Sequence, residues 1–288
     1  MAGIAVLLAV FKIVLILQRC MAQLLEPNCG LTGITNKIMG GQNAEHGANP
    51  WMAYIYKITK QNATEFVCGG TLIHKEFILT AAHCILNDDI LAVRLGAYFS
   101  QRRSGTSKDF AVTNAFRNKL YSYAEQNHDI GMLKLSPEVQ FNAFIKPVCI
   151  FRDPIQFPQV STYKATGWGT TEFEKVARVL QTLEVNDLDA TECYNALWFR
   201  VTEKQICAGH PVGDTCTGDS GGPLVQQVNV NGIQRYVQFG IVSFGGSECR
   251  SAGVYTRVSS YIDWILRVVN NYATHKRINL QFRTRTLI

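Results

Sequence analysis

Short apolar runs punctuated by glycine and polar turn signals recur along the chain from Lys37 onward. Residues 52–58, 71–81, 91–95, 130–135, 163–167, 237–244 and 254–258 either alternate in polarity or are rich in β-branched side chains, which is the pattern of half-buried or fully buried strands. Many short strands at modest spacing predict an all-β sandwich or barrel. One helix is predicted near the end. Ser260 is placed to cap it, Asp263 stands three residues on, and Ile262, Ile265, Leu266 and Val269 share one face at helical spacing. Beyond Ala273 the apolar periodicity stops. Residues 275–288 carry Lys276, Arg277, Arg283 and Arg285 with no acidic residue, which predicts a basic, poorly ordered tail.

The first residues follow a different pattern. Residues 4–17 are almost wholly apolar, broken only by Lys12, and a small-x-small site, Cys20-Met21-Ala22, follows. A membrane span needs roughly 20 apolar residues. The shorter, charge-interrupted run predicts a secretory signal peptide cut before Gln23, and hence a secreted, extracellular protein with no membrane partner.

Composition sharpens this picture. The 288 residues are 47% hydrophobic and 17% charged, enough to bury a sizeable core and unlike the charge-rich signature of disorder. The formal charge is +6, from 28 basic and 22 acidic residues. Residues 38–274 hold 21 of each, so the excess lies in the signal and the tail, and the body of the protein is neutral. A nucleic-acid or heparin binder would rest on the tail alone, and no nucleic-acid partner is expected. Of nine cysteines, Cys20 leaves with the signal and eight remain, an even set that can pair in an oxidising compartment. No two of these are separated by two residues and no His-Glu-x-x-His occurs, so neither a metal nor another cofactor is expected.

Three segments carry candidate chemistry. Gly218-Asp219-Ser220-Gly221-Gly222-Pro223 sets one serine among glycines, where backbone amides can approach a substrate closely. A serine hydroxyl is a weak nucleophile without a base, so the motif calls for a histidine and a group to orient it. Thr80-Ala81-Ala82-His83-Cys84 supplies the histidine, and His128-Asp129-Ile130-Gly131 supplies a carboxylate at the start of an apolar strand. Singly, each has a bland reading as a turn serine, a structural histidine and a cap residue. Their conjunction, in the order His, Asp, Ser, carries the weight.

On these motifs the chain resembles the chymotrypsin-like serine proteases, from about Lys37 to Asn270. The resemblance implies two perpendicular six-stranded β-barrels, meeting near residues 150–165, and a C-terminal α-helix. It also implies a domain order of signal peptide (1–22), activation propeptide (23–37), protease domain (38–274) and tail (275–288). The catalytic triad would be His83, Asp129 and Ser220, with the backbone amides of Gly218 and Ser220 forming the oxyanion hole. Cleavage after Lys37, in Lys37-Ile38-Met39-Gly40-Gly41, would free the Ile38 amino group to pair with Asp219. Asp214, six residues before the nucleophile, would floor the specificity pocket and select arginine or lysine. Gly245 and Gly253 would form its walls, and Ser243 would lie on the strand that pairs with the substrate backbone. The implied disulfides are Cys29–Cys149, Cys68–Cys84, Cys193–Cys207 and Cys216–Cys249, among about a hundred pairings that eight cysteines allow.

The expected partners are therefore protein substrates with Arg or Lys at the cleavage site, an activating protease and serpin-type inhibitors. Asn62-Ala63-Thr64 is a glycosylation sequon in a polar stretch. Calcium-binding members of the family carry acidic residues after the position of Gly96. Here Ala97, Tyr98, Arg102 and Arg103 follow, which predicts no structural calcium. The alternative from another class is a non-catalytic protease homologue serving as a binding module or cofactor.

Overall fold

The computed structural model describes residues 23–32, 42–61, 63–86, 90–169, 176–210, 219–246 and 252–274. The signal segment, Lys37, Ile38, Asn62, Asp214, Cys216, Gly218, Cys249 and the basic tail lie outside the described residues.

Thirteen strands form among the described residues. Those of the first half are β1 (Gln42–Asn43), β2 (Met52–Ile58), β3 (Thr64–His74), β4 (Phe77–Thr80), β5 (Leu91–Leu95), β6 (Lys108–Arg117) and β7 (Gly131–Ser136). The second half holds β8 (Thr162–Gly167), β9 (Gln181–Asp187), β10 (Gln205–Gly209), β11 (Pro223–Val230), β12 (Ile233–Gly245) and β13 (Gly253–Arg257). The antiparallel ring β2-β3-β4-β7-β6-β5 closes a first six-stranded barrel. A second closes because β8 pairs with both β11 and β9 around the order β9-β10-β13-β12-β11-β8. The short β1 adds to β9 from outside. Closure leaves no exposed edge in either ring.

Each barrel is filled from its own strands. Ile55, Leu72, Ile78, Leu79, Val93, Leu95, Met132 and Leu133 are buried in the first, and Tyr163, Val185, Ile206, Leu224, Val237 and Tyr255 in the second. Strands such as β4 are buried along their whole length, which is why they read as continuous apolar runs.

Two α-helices form among the described residues, α1 (Ala190–Leu197) and α2 (Ile262–Tyr272). The predicted cap on the second is corrected. A 3-10 turn, Val258–Tyr261, precedes it, so Tyr261 is the N-cap residue and exposed Ser260 caps nothing. Ile262, Ile265, Val268 and Val269 form the buried face, with Leu266 at its margin. This helix returns the chain from the second barrel onto the first. There Phe116 packs on Tyr272 at 4.5 Å, Lys134 Nζ donates to the Tyr272 carbonyl at 2.7 Å, and buried Glu76 accepts from the Thr274 amide and hydroxyl.

The segment 23–32 also lies across both halves. The Leu25 amide donates to the Ile150 carbonyl and the Gly30 amide to that of Pro147, while the Tyr236 amide donates to Gly30. Arg235 Nη1 donates to the carbonyls of Pro27 and Cys29. Three disulfides form among the described residues: Cys29–Cys149, Cys68–Cys84 and Cys193–Cys207. No helix among the described residues is long and apolar enough to cross a membrane.

Candidate active site

The first barrel supplies the candidate base, His83, and the candidate orienting carboxylate, Asp129. His83 lies on a 3-10 turn, Ala82–Cys84, directly after β4, and the Cys68–Cys84 bridge anchors that turn to β3. In the chain-entropy picture this short crosslink is worth about 3 kcal/mol, and it holds the base where the strand delivers it. Both sulfurs beside the imidazole are consumed by the bridge, so neither offers a thiolate to a metal.

Asp129 precedes β7 and is 2% exposed. Its Oδ2 lies 2.7 Å from His83 Nδ1, and its Oδ1 accepts the His83 backbone amide at 3.0 Å. This bidentate grip fixes the ring position and leaves Nε2 pointing away from the carboxylate. Two bonds from the second barrel complete the setting. Ser243 Oγ donates to Oδ2 at 2.6 Å, and Thr256 Oγ1 donates to the Asp129 carbonyl at 2.8 Å. The buried charge is felt nearby: burial first and Asp129 second push the hydroxyls of Tyr121 and Tyr261 up to about 12.

Ser243 was expected on the strand that pairs with substrate, and its side chain has a further task. The register of β12 against β13 shifts between Val242 and Phe244, a bulge that re-aims the serine toward Asp129. A bulge has no sequence signal of its own, so the bond from Ser243 to Asp129 was not legible, although Ser243 itself was named as a site residue. Beyond it Phe244 packs edge-on against Phe199 at 4.8 Å, and Gly245 faces Gly253 across the two strands.

Ser220 comes from the turn that opens β11. Its carbonyl accepts the Gly69 amide of β3 at 2.9 Å, and the next amide, of Gly221, donates to the Val242 carbonyl at 2.9 Å. The serine is thus seated between the barrels, on the strand whose Cys68 is bonded to Cys84 beside the histidine. Gly221 has φ 77° and lies against β3 and β4, where a Cβ would collide with Thr80 Oγ1 and stand 2.5 Å from the Gly69 carbonyl oxygen. Among the described contacts no direct hydrogen bond joins Ser220 to His83. Such bonds are commonly long in free enzymes and tighten with substrate.

Asp219, expected to pair with the Ile38 amino group after cleavage, accepts the Gly169 amide at Oδ1, at 2.8 Å. Gly167 and Gly169 lack the Cβ that would strike the carboxylate. The loop at 96–109 has a donor set that does not fit calcium. Its only carboxylate, Asp109, is gripped by Arg94 and Arg103, while the Gly96 carbonyl accepts from Ser104 and Thr106.

A buried carboxylate holds an imidazole, and a serine followed by two glycines docks on the strand bridged to that imidazole's turn, in the seam of two six-stranded barrels, which is the architecture of a serine protease. Residues 38–265 match the Trypsin family, and the chain belongs to it. Among the curated proteins it is 37% identical over 268 residues to CLIP domain-containing serine protease HP8 of Bombyx mori, covering 83% of this chain and 72% of that protein. It is 36% identical over 265 residues to the clotting factor G beta subunit of Tachypleus tridentatus, covering 84% and 83%. Among solved structures, that of the Drosophila Grass clip serine protease of the Toll pathway superposes with a TM-score of 0.72 at 31% identity, over 85% of this chain and 76% of that one.

Proposed function

We propose that the chain is a secreted zymogen of a trypsin-like endopeptidase that cleaves after arginine or lysine and acts in a proteolytic cascade. The observation that carries the catalytic part is the bidentate hold of buried Asp129 on His83. That geometry fixes the tautomer with Nδ1 protonated, leaving Nε2 free to take the Ser220 proton as its oxygen attacks the scissile carbonyl. The imidazolium so formed is stabilised by Asp129 and later protonates the leaving amine. The amides of Gly218 and Ser220 hold the oxyanion, each donor being worth about 100- to 1000-fold in rate.

Asp214 takes the substrate cation, because a carboxylate at the floor of an apolar pocket is stabilised by an incoming ammonium or guanidinium. Cleavage after Lys37 switches the enzyme on, and the Ile38 ammonium draws Asp219 from its bond to the Gly169 amide. The cascade role is supported by relatives named for clotting and for the Toll pathway, and by the segment 23–32, bonded to the body through Cys29–Cys149. In that role the partners are protein substrates, an activating protease and serpin-type inhibitors.

The test is a chromogenic panel after trypsin treatment of the secreted protein, with N-terminal sequencing. Arg and Lys substrates are cut once the new N-terminus is Ile38, Asp214→Ser abolishes that cutting, and Asp129→Asn lowers kcat about 10,000-fold. Preference for Phe or Leu, or a protein that an active-site phosphonate fails to label at Ser220, overturns the reading.

A further inference from the structure

Residues 122–128 bring Asp129 to the site with an unusual backbone. Gln126 and His128 both have left-handed conformations, φ 51° and 54°, which cost a residue with a side chain about 1 kcal/mol or more. Such conformers persist where neighbours over-determine them. Within its own barrel the loop is closed by long contacts: Ser122 and Asn127 exchange backbone bonds at 3.2 and 3.3 Å, and the Gln126 amide reaches the Tyr123 carbonyl at 3.4 Å.

One short bond is local, from the Ile130 amide to the His128 carbonyl at 2.9 Å, and the second half of the chain adds three more. Tyr261 Oη meets His128 Nδ1 at 3.1 Å, Thr256 holds the Asp129 carbonyl, and Gln205 Nε2 donates to the Gln126 carbonyl at 2.9 Å. Gln205 opens β10 and is 5% exposed. Its Oε1 accepts from the Thr202 amide at 2.9 Å and hydroxyl at 3.1 Å, and its carbonyl accepts Arg257 Nη2 at 2.9 Å. One end of the amide therefore closes the turn 202–205, and the other grips a loop of the opposite barrel. A neutral side chain that accepts at one atom and donates at the next is needed here, and glutamate or methionine at this position lacks the donor.

We propose that Gln205 is a positioning residue for the catalytic carboxylate: its bond to the Gln126 carbonyl sets the loop that delivers Asp129, and so sets the His83–Asp129 pair from across the barrel seam. The proposal rests on the reading of Asp129 as the group that orients His83.

Two variants of the full secreted chain, activated as above, test it. Gln205→Glu keeps the acceptor for Thr202 but loses the donor and sets a carboxylate charge against the Gln126 carbonyl, whereas the neutral Gln205→Met loses both donor and acceptor. In each, kcat on a small amide substrate falls about tenfold, as expected for slight misplacement of a catalytic group, while KM stays within about twofold. The downfield NMR signal of the proton between His83 Nδ1 and Asp129 shifts or broadens in both, a change that a merely structural residue would not produce. Wild-type kcat with an unmoved signal in both variants overturns the proposal. So does a loss confined to Gln205→Met, which marks the 202–205 turn as the cause. Full activity of Asp129→Asn, run in parallel, overturns instead the reading on which the proposal rests.

Discussion

Asp129 and Lys164 are both buried charges, and burial has different consequences for the two. Asp129 is surrounded by donors, from His83 and Ser243 to the carboxylate and from Thr256 to the carbonyl, so the cost of removing its charge from water is met by bonds that also orient a base. Lys164, on β8 and 7% exposed, has its ammonium 5.7 Å from the centre of the Tyr236 ring. Burial pulls its pKa down from 10.5 to about 8. Between those values the unfolded chain binds the proton and the native state does not, so this residue's penalty fades as pH rises from 8 to 10.5 and is at its full size below 8. Lys164→Met is therefore expected to be more stable than the wild type at pH 7, by about 1–3 kcal/mol. Denaturant titrations across this range should show the gap closing toward high pH, and a gap independent of pH would contradict the account. The candidate nucleophile, base and carboxylate, Ser220, His83 and Asp129, were legible as residues because their motifs are local. Ser243 was legible as a residue of the expected substrate strand but not as a partner of Asp129, and Gln205 was not legible at all, because each makes its bond across the barrel seam.

At the level of elements, the turn 219–222 depends on how closely it docks against β3 and β4. Gly69 and Gly221 meet there without side chains, and the Gly69–Ser220 bond forms at that contact. Gly221→Ala meets two obstacles, a positive φ that disfavours a Cβ and the carbonyl oxygen of a strand held by β2 on its other side. The turn must lift, and Ser220 moves with it. The expected result is a fall in kcat/KM of about 100-fold or more, with a loss in melting temperature of a few degrees. An unchanged rate would mean that Ser220 is positioned by something other than this contact.

The same dependence on neighbours explains which elements the sequence concealed. β6 and β9 are half exposed and carry scattered polar residues, so their strand identity comes from pairing rather than from periodicity. α1 buries only Cys193, which leaves no apolar stripe to detect. Its one signal was the capping box of Asp189 and Glu192, where the Asp189 carboxylate accepts the Thr191 amide at 2.8 Å.

For the whole molecule, the Cys29–Cys149 bridge has a meaning that would change on the proposed activation. In the intact chain it closes a loop with a sequence separation of 120 that contains the entire first barrel. In the chain-entropy model such a loop contributes up to about 5 kcal/mol by restricting the unfolded state. A cut after Lys37 falls inside this loop and opens it. The bridge then restricts nothing within the barrel and becomes a tether between two chains, helped by the backbone bonds of Leu25 and Gly30 and by the Arg235 clamp. Replacing both cysteines by serine should accordingly destabilise the uncleaved protein by several kcal/mol and the cleaved one by far less. Denaturant unfolding of both forms, with and without the bridge, measures the difference directly. A penalty equal in the two forms would show that the bridge acts through native packing around buried Cys29 and Cys149 rather than through loop closure. If loop closure governs, cleavage after Lys37 lowers the protein's stability, and the proposed bond from the Ile38 ammonium to Asp219 would have to offset that loss for the cleaved form to persist.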